Sequence, residues 1–157
     1  MSRFRGLYEY SIDDKGRVNV PAKFRKVLNP QADETFVVCR GPNLCLRAYP
    51  QDRWALYESE LEARPQTPQT VRLRRQIYAS VSDSQLDGQG RVTLTPLQMQ
   101  IGGIGKKVVV VGQGSFIELW DPKRYKEYLG TGEDFDDVFY QSAQDERRLP
   151  ADAGRND

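Results

Sequence analysis

Two cations flank a glycine at Lys15-Gly16-Arg17, and an arginine again follows a glycine at Gly90-Arg91, 74 residues later. Long positive side chains on a short bend can reach a phosphate, and an arginine fork can also bond guanine in two-pronged fashion. Further cations surround the first bend: Arg3 and Arg5 precede it, and Lys23, Arg25 and Lys26 follow it. Taken singly, such residues read as solvated surface charge. Two features favour polyanion binding instead. The Gly-Arg pair recurs at one place in each half, and nearby acids do not offset the first cluster. Residues 1–26 carry seven Lys or Arg against three acids, whereas residues 127–157 carry nine acids against three arginines. The net charge of +1 therefore conceals a local positive field.

Other chemistry is poorly supplied. The chain has no histidine, which removes the commonest general base and most transition-metal sites. Asp13-Asp14 could be imagined as an acid pair, but Asp13 and Asp87 hold the same position beside a turn glycine in the two halves, which favours a backbone-bonding role. Gly102-Gly103-Ile104-Gly105-Lys106 lacks the spacing of a phosphate-cradling loop. Cys39 and Cys45 sit in apolar, strand-like contexts and read as two buried thiols rather than a disulfide. No enzyme, cofactor, metal or small-molecule substrate is expected. At 38% apolar and 29% charged residues the composition is that of a soluble globular protein, and no run approaches the roughly 18 apolar residues of a membrane span. The first residues, Met1-Ser2-Arg3-Phe4-Arg5, lack an apolar signal core, so a cytoplasmic location is expected.

The elements that must position the bends repeat as well. Ile12-Asp13-Asp14-Lys15-Gly16-Arg17-Val18-Asn19-Val20 returns as Leu86-Asp87-Gly88-Gln89-Gly90-Arg91-Val92-Thr93-Leu94. Leu46-Arg47-Ala48-Tyr49-Pro50 with Trp54 is answered by Ile117-Glu118-Leu119-Trp120-Asp121 with Tyr125, now at an offset of 71. Each half then reads as strand, glycine bend, short alternating strand, helix opened by Pro21 or Pro96, and a final pair of strands. The predicted strands are 7–12, 17–20, 35–39 and 44–49, then 81–86, 91–94, 107–111 and 116–120. Short helices are predicted over 22–28, where Phe24, Val27 and Leu28 share a face, and over 96–100, ended by Gly102-Gly103. Helices are also predicted over 51–63, 71–78 and 123–129, with disorder from about Leu149. Arg72, Arg74 and Arg75 fit ion pairs with Glu58, Glu60 and Glu62, of the same chain or a neighbouring subunit, better than they fit DNA contact.

These residues closely resemble the MraZ family, built from two SpoVT-AbrB-type domains in one chain. The matching phrases are Phe4-Arg5-Gly6, Asp13 to Pro21 with Phe24-Arg25, Cys45 to Pro50 with Trp54, Asp87 to Val92, and Val110 to Gln113 with Phe116 to Asp121. The resemblance covers about residues 4 to 126. It implies an α+β fold of two tandem swapped-hairpin (AbrB-like) β-barrel half-units with short helices, related by a pseudo-two-fold within one chain. The implied partition is a first repeat at 7–54, a helical connector at 55–79, a second repeat at 80–126 and an acidic, partly disordered tail at 127–157. It further implies a ring-shaped homo-oligomer, cytoplasmic and nucleoid-associated, that binds double-stranded promoter DNA at short direct repeats upstream of the division and cell-wall genes, its own included. The family's contact position falls on Lys15 and Arg17, with Arg91 its only full counterpart because Gln89 stands where Lys15 does. The expected DNA-binding set is Arg3, Arg5, Lys15, Arg17, Lys23, Arg25 and Arg91. The rival expectation is an oligomeric protein-interaction scaffold or antitoxin-like adaptor, which would grip its partner through the acidic segment Glu133-Asp134-Phe135-Asp136-Asp137.

Overall fold

Short alternating segments punctuated by glycine bends fold into β1 (Leu7–Ser11), β2 (Arg17–Asn19), α1 (Ala22–Lys26), β3 (Thr35–Arg40) and β4 (Leu46–Pro50) in the first half. Helices α2 (Gln51–Ala63) and α3 (Pro68–Ser80) connect the halves. The second half supplies β5 (Ser82–Gln85), β6 (Arg91–Thr93), α4 (Pro96–Gly102), β7 (Lys107–Gly112), β8 (Ile117–Trp120) and α5 (Pro122–Leu129), and α6 (Phe135–Arg147) follows. This computed structural model describes residues 3–147. The disorder expected beyond Leu149 lies outside them. One compact unit ends at Tyr125 and a second begins at Lys126.

In the first unit the halves interleave. A six-stranded antiparallel sheet runs β1-β7-β8-β4-β3-β5, and β2 pairs with β6 in a separate two-stranded ribbon. Exchanging the two halves maps this order onto itself read backwards, as a pseudo-two-fold requires. Each edge strand is lent by the other half: β1 pairs with β7, and β5 with β3. The axis passes between Val18 and Val92 in the ribbon, and between Arg47 and Glu118 where β4 meets β8, since each of these pairs joins repeat mates in register. Arg47 Nε and a Glu118 carboxylate oxygen lie 3.6 Å apart there.

Between sheet and ribbon lies the main core of Phe4, Val18, Phe24, Phe36, Leu46, Val92, Leu94, Val110 and Ile117, with their neighbours, all buried. Neither half could bury such a set alone, which is why the repeat must fold as a pair. The halves fill the core differently. Phe24 meets Phe4 edge-on at 5.3 Å between ring centres. Its repeat mate is Gln98, completely buried, whose Nε2 lies 2.7 Å from the Ser80 carbonyl and 2.9 Å from the Ser82 hydroxyl. A buried amide is tolerable because its partners replace the lost water. On the outer face of the sheet, Trp54 and Leu61 of α2 and Ile77 of α3 pack over Val37, Cys39 and Tyr49.

Local departures from the sequence reading have plain causes. Pro42–Leu44 form a single 3₁₀ turn, with left-handed φ of 63° at Asn43 and 64° at Leu44, so β4 starts only at Leu46. Helix α1 ends at Lys26, which turns Val27 outward to 42% exposure while Leu28 still packs on the core. Helix α3 starts earlier than the apolar spacing indicates, because Thr67, just before Pro68, and Thr70 in the first turn form a reciprocal capping box. In the second unit, the segment after the acidic run is the helix α6, with Phe135, Val138, Phe139 and Tyr140 exposed.

Candidate nucleic-acid interface

The two bends are built by one local network, used twice. In the first, an Asp13 carboxylate oxygen accepts the backbone N–H groups of Lys15 (3.0 Å) and Arg17 (2.9 Å), and the Gly16 N–H donates to the Asp13 carbonyl at 3.0 Å. In the second, Asp87 accepts from the backbone of Gln89 and Arg91, both at 2.9 Å, and Gly90 donates back to the Asp87 carbonyl. The glycines take φ of 76° and 75°, where a side chain would be strained. The backbone N–H of Arg17 holds Asp13 below its ordinary carboxylate pKa of 3.8, and that of Arg91 does the same for Asp87; the ion pairs add to each. Both aspartates are therefore structural anions, as their shared position beside a glycine predicts.

Those anions clamp the arginines. Arg17 Nε donates to the second Asp13 oxygen at 2.5 Å, and Arg91 Nε donates to the second Asp87 oxygen at 2.9 Å. The clamp's hydrogen bond uses Nε, and the Arg17 side chain bonds or pairs with no residue but Asp13 among the described residues. Arg91 is more engaged. Its Nη1 also lies 3.7 Å from Asp13, and its side chain is 19% exposed against 34% for Arg17. Antiparallel pairing of β2 with β6 thus draws Lys15, Arg17 and Arg91 together around Asp13.

The other expected contacts are distributed differently. Arg25 lies over the second bend rather than the first: a β-carbon placed on Gly90 would come within 2.6 Å of the Arg25 Nε. That Nε donates to the Val20 carbonyl at 3.1 Å. The interleaving explains this, because α1 of the first half packs against the bend of the second. Lys23 and Lys26 are exposed on the same helix. Arg25 there lines a polar cleft of about 580 Å³ with Asp33, Glu34 and Asp87. Arg3 and Arg5 flank Phe4, which pairs with Gly114 at the far end of β1 from the Asp13 bend. Five strand residues separate those ends, about 16 Å of extended chain. The sequence reading met Lys106 only as the end of a rejected phosphate-cradling loop and left it out of the DNA-binding set. Only the pairing of β1 with β7 reveals it, by setting the Lys106 carbonyl against the Ile12 N–H at 2.9 Å.

Arg72, Arg74 and Arg75 form no ion pair with Glu58, Glu60 or Glu62 among the described residues. Instead the Tyr78 hydroxyl donates to Glu58 at 2.9 Å, and Arg74 donates to the Gln66 side chain at 2.6 Å. Cys39 and Cys45 are buried free thiols, and burial pushes both up to about 12, so neither is a nucleophile. No group of three or more potential metal ligands occurs among the described residues, and no helix among them is long and apolar enough to cross a membrane.

Interleaved hairpin halves carrying a rigid cationic bend define a tandem swapped-hairpin protein, and comparison with known sequences narrows the class. Residues 3–76 and 77–147 each match the family described as "MraZ protein, putative antitoxin-like". Similar proteins called "Transcriptional regulator MraZ" occur in Nitrosomonas europaea, Oenococcus oeni and Limosilactobacillus fermentum. The first is 36% identical over 135 residues, covering 85% of this chain and 91% of that relative. The other two are 36% and 37% identical over 137 residues, covering 86% of this chain and 93% of each relative. The chain belongs to the MraZ family.

Proposed function

We propose that this chain is a DNA-binding transcriptional regulator that grips promoter DNA through the Asp13–Arg17 bend. The observation that carries the reading is the half-clamped Arg17. Asp13 fixes its Nε, and the side chain keeps 34% of its surface exposed next to the exposed Lys15. A guanidinium already oriented loses little side-chain freedom on meeting a phosphate or a guanine edge. The names of the relatives agree with this reading.

The finer picture is that of the family resemblance. The regulator acts in the cytoplasm, on the nucleoid, at short direct repeats upstream of the division and cell-wall gene cluster that includes its own gene. One bend with a few cations binds weakly and with strong salt dependence. A homo-oligomeric ring presents the bend several times and raises avidity by about 10² to 10⁴. Residues 7–54 and 80–126 act as the paired repeats, joined by the connector 55–79.

The test is a fluorescence-anisotropy titration against a duplex from upstream of the coding region, over a series of salt concentrations. Log K is expected to fall with log[salt] by about 0.9 per neutralised phosphate. Arg17→Ala is expected to abolish specific binding while circular dichroism and sedimentation stay unchanged. A flat salt response, or unaltered affinity in the variant, overturns the assignment. A protein-adaptor reading draws on the acidic, aromatic face of α6. Deleting residues 127–157 separates the two, because a regulator keeps its DNA affinity without them.

A further inference from the structure

The bends share their internal bonds but not their edges. On β1 the register places Ser11 opposite Lys107, and the Ile12 N–H bond to the Lys106 carbonyl extends that ladder by one pair. Lys106 therefore stands opposite the residue that immediately precedes Asp13. In the other half Thr35 stands opposite Gln85, and the Leu86 N–H donates to the Glu34 carbonyl at 2.7 Å. Glu34 thus holds, beside Asp87, the place that Lys106 holds beside Asp13. Both side chains are exposed. The pseudo-two-fold sets a cation against an anion at the same point of the two bends.

Alternation along the strand fixes which way each lysine faces. Tyr8, Tyr10 and Ile12 pack on the main core together with Val108 and Val110, whereas Val109 and Val111 pack on the opposite face with Trp120. Lys106 has the parity of Val108, so it lies on the side of the sheet that carries the ribbon and its bends. Lys107 has the parity of Val109 and faces away. Directly opposed residues hold their β-carbons about 5 Å apart, well within the reach of a lysine stem.

We infer that Lys106 is a phosphate contact that the second half contributes to the first-half bend, so that the DNA-gripping surface is complete only when the halves interleave. It gathers Lys15, Arg17 and Arg91 of the two bends with Lys106 of β7's approach. The equivalent surface at Asp87 is edged by Glu34 and Asp33, whose like charge opposes a phosphate, and the Arg25 guanidinium beside them is already bonded through Nε to the Val20 carbonyl. The inference rests on the DNA-binding reading above, and it explains why that reading favours one bend over the other.

The experiment titrates the same upstream duplex with the full chain carrying Lys106→Gln, Lys106→Arg or Lys107→Gln, beside wild type and Arg17→Ala. The Lys106 substitutions leave the Ile12 bond in place, because that bond uses the backbone carbonyl. Lys106→Gln is expected to lower affinity about threefold to tenfold and to make the salt slope shallower by about 0.9, the signature of one lost phosphate. Lys106→Arg retains the wild-type slope. Lys107→Gln removes the same charge from the neighbouring residue on the far face and changes both quantities little. Affinity and slope of Lys106→Gln that match wild type or match Lys107→Gln, while Arg17→Ala still weakens binding, overturn this inference alone. A wild type that binds no duplex overturns the functional reading and this inference together.

Discussion

The Asp13 and Asp87 bends have the same backbone, the same aspartate clamp and the same glycine geometry, yet they present different surfaces. The first gathers Lys15, Arg17, Arg91 and the edge residue Lys106; the second has Gln89 in place of Lys15 and is edged by Asp33 and Glu34, with Arg25 between them and Gly90. Their packing differs too. A β-carbon on Gly16 would lie 2.6 Å from the Leu94 carbonyl oxygen, which is backbone, whereas one on Gly90 would meet the Arg25 side chain. The two halves therefore share the local hydrogen bonds that make a rigid bend and differ in what surrounds them. What the bend is made of and what it meets are separable properties of the sequence.

The largest expected contrast is in DNA affinity. Arg17→Ala removes an arginine held by Asp13 alone among the described residues, whereas Arg91→Ala removes one already shared between Asp87 and Asp13. The Arg17 variant is expected to lose about 100-fold or more once the loss is multiplied across linked sites, and the Arg91 variant about tenfold or less. Equal losses, measured by anisotropy at one salt concentration, would show that Arg91 contacts DNA as fully as Arg17 despite its second carboxylate. A second contrast concerns stability. Gly16→Ala combines left-handed backbone strain with a backbone clash and is expected to cost about 2 to 4 kcal/mol; Gly90→Ala, whose obstacle can swing aside, costs about 1 kcal/mol. Urea denaturation of the two variants reads the difference directly.

The smallest effect is acid sensitivity. Each aspartate has a lowered native pKa, so its contribution is fully present above the ordinary carboxylate value of 3.8. That contribution is lost as pH falls through the lowered native value. The double variant Asp13→Asn, Asp87→Asn is expected to lose less stability than wild type below about pH 4, since an asparagine oxygen still accepts the backbone bonds. Parallel acid unfolding curves for the two proteins would show that these carboxylates carry no part of the pH dependence.

Much of this was legible in the residues, because the legible parts are local. Gly16 beside Asp13 specifies a bend whatever surrounds it, and the doubled phrase around Gly90 reveals the pseudo-symmetry. Pro21 immediately precedes α1 and Pro96 is the first residue of α4, where proline suits a helix start, and Gly103 ends α4 with a left-handed φ of 60°. The illegible parts are those in which one half answers the other. Arg25 reads as a neighbour of Lys15 in sequence, but strand exchange carries α1 onto the opposite bend. Lys106 has no local signature and gains its position only through the pairing of β7 with β1. Gln98 reads as an ordinary polar helix residue, and its burial follows from the carbonyl groups of Val38 and Ser80 that converge on it.

Arg47 and Glu118 occupy mated positions on the pseudo-two-fold, facing each other across β4 and β8. Had each repeat been a separate chain pairing with its own copy, that spot would bring guanidinium onto guanidinium or carboxylate onto carboxylate. Within one polypeptide the two mated positions are free to differ, and here they carry opposite charges. The contact therefore favours unlike halves over like ones at the seam.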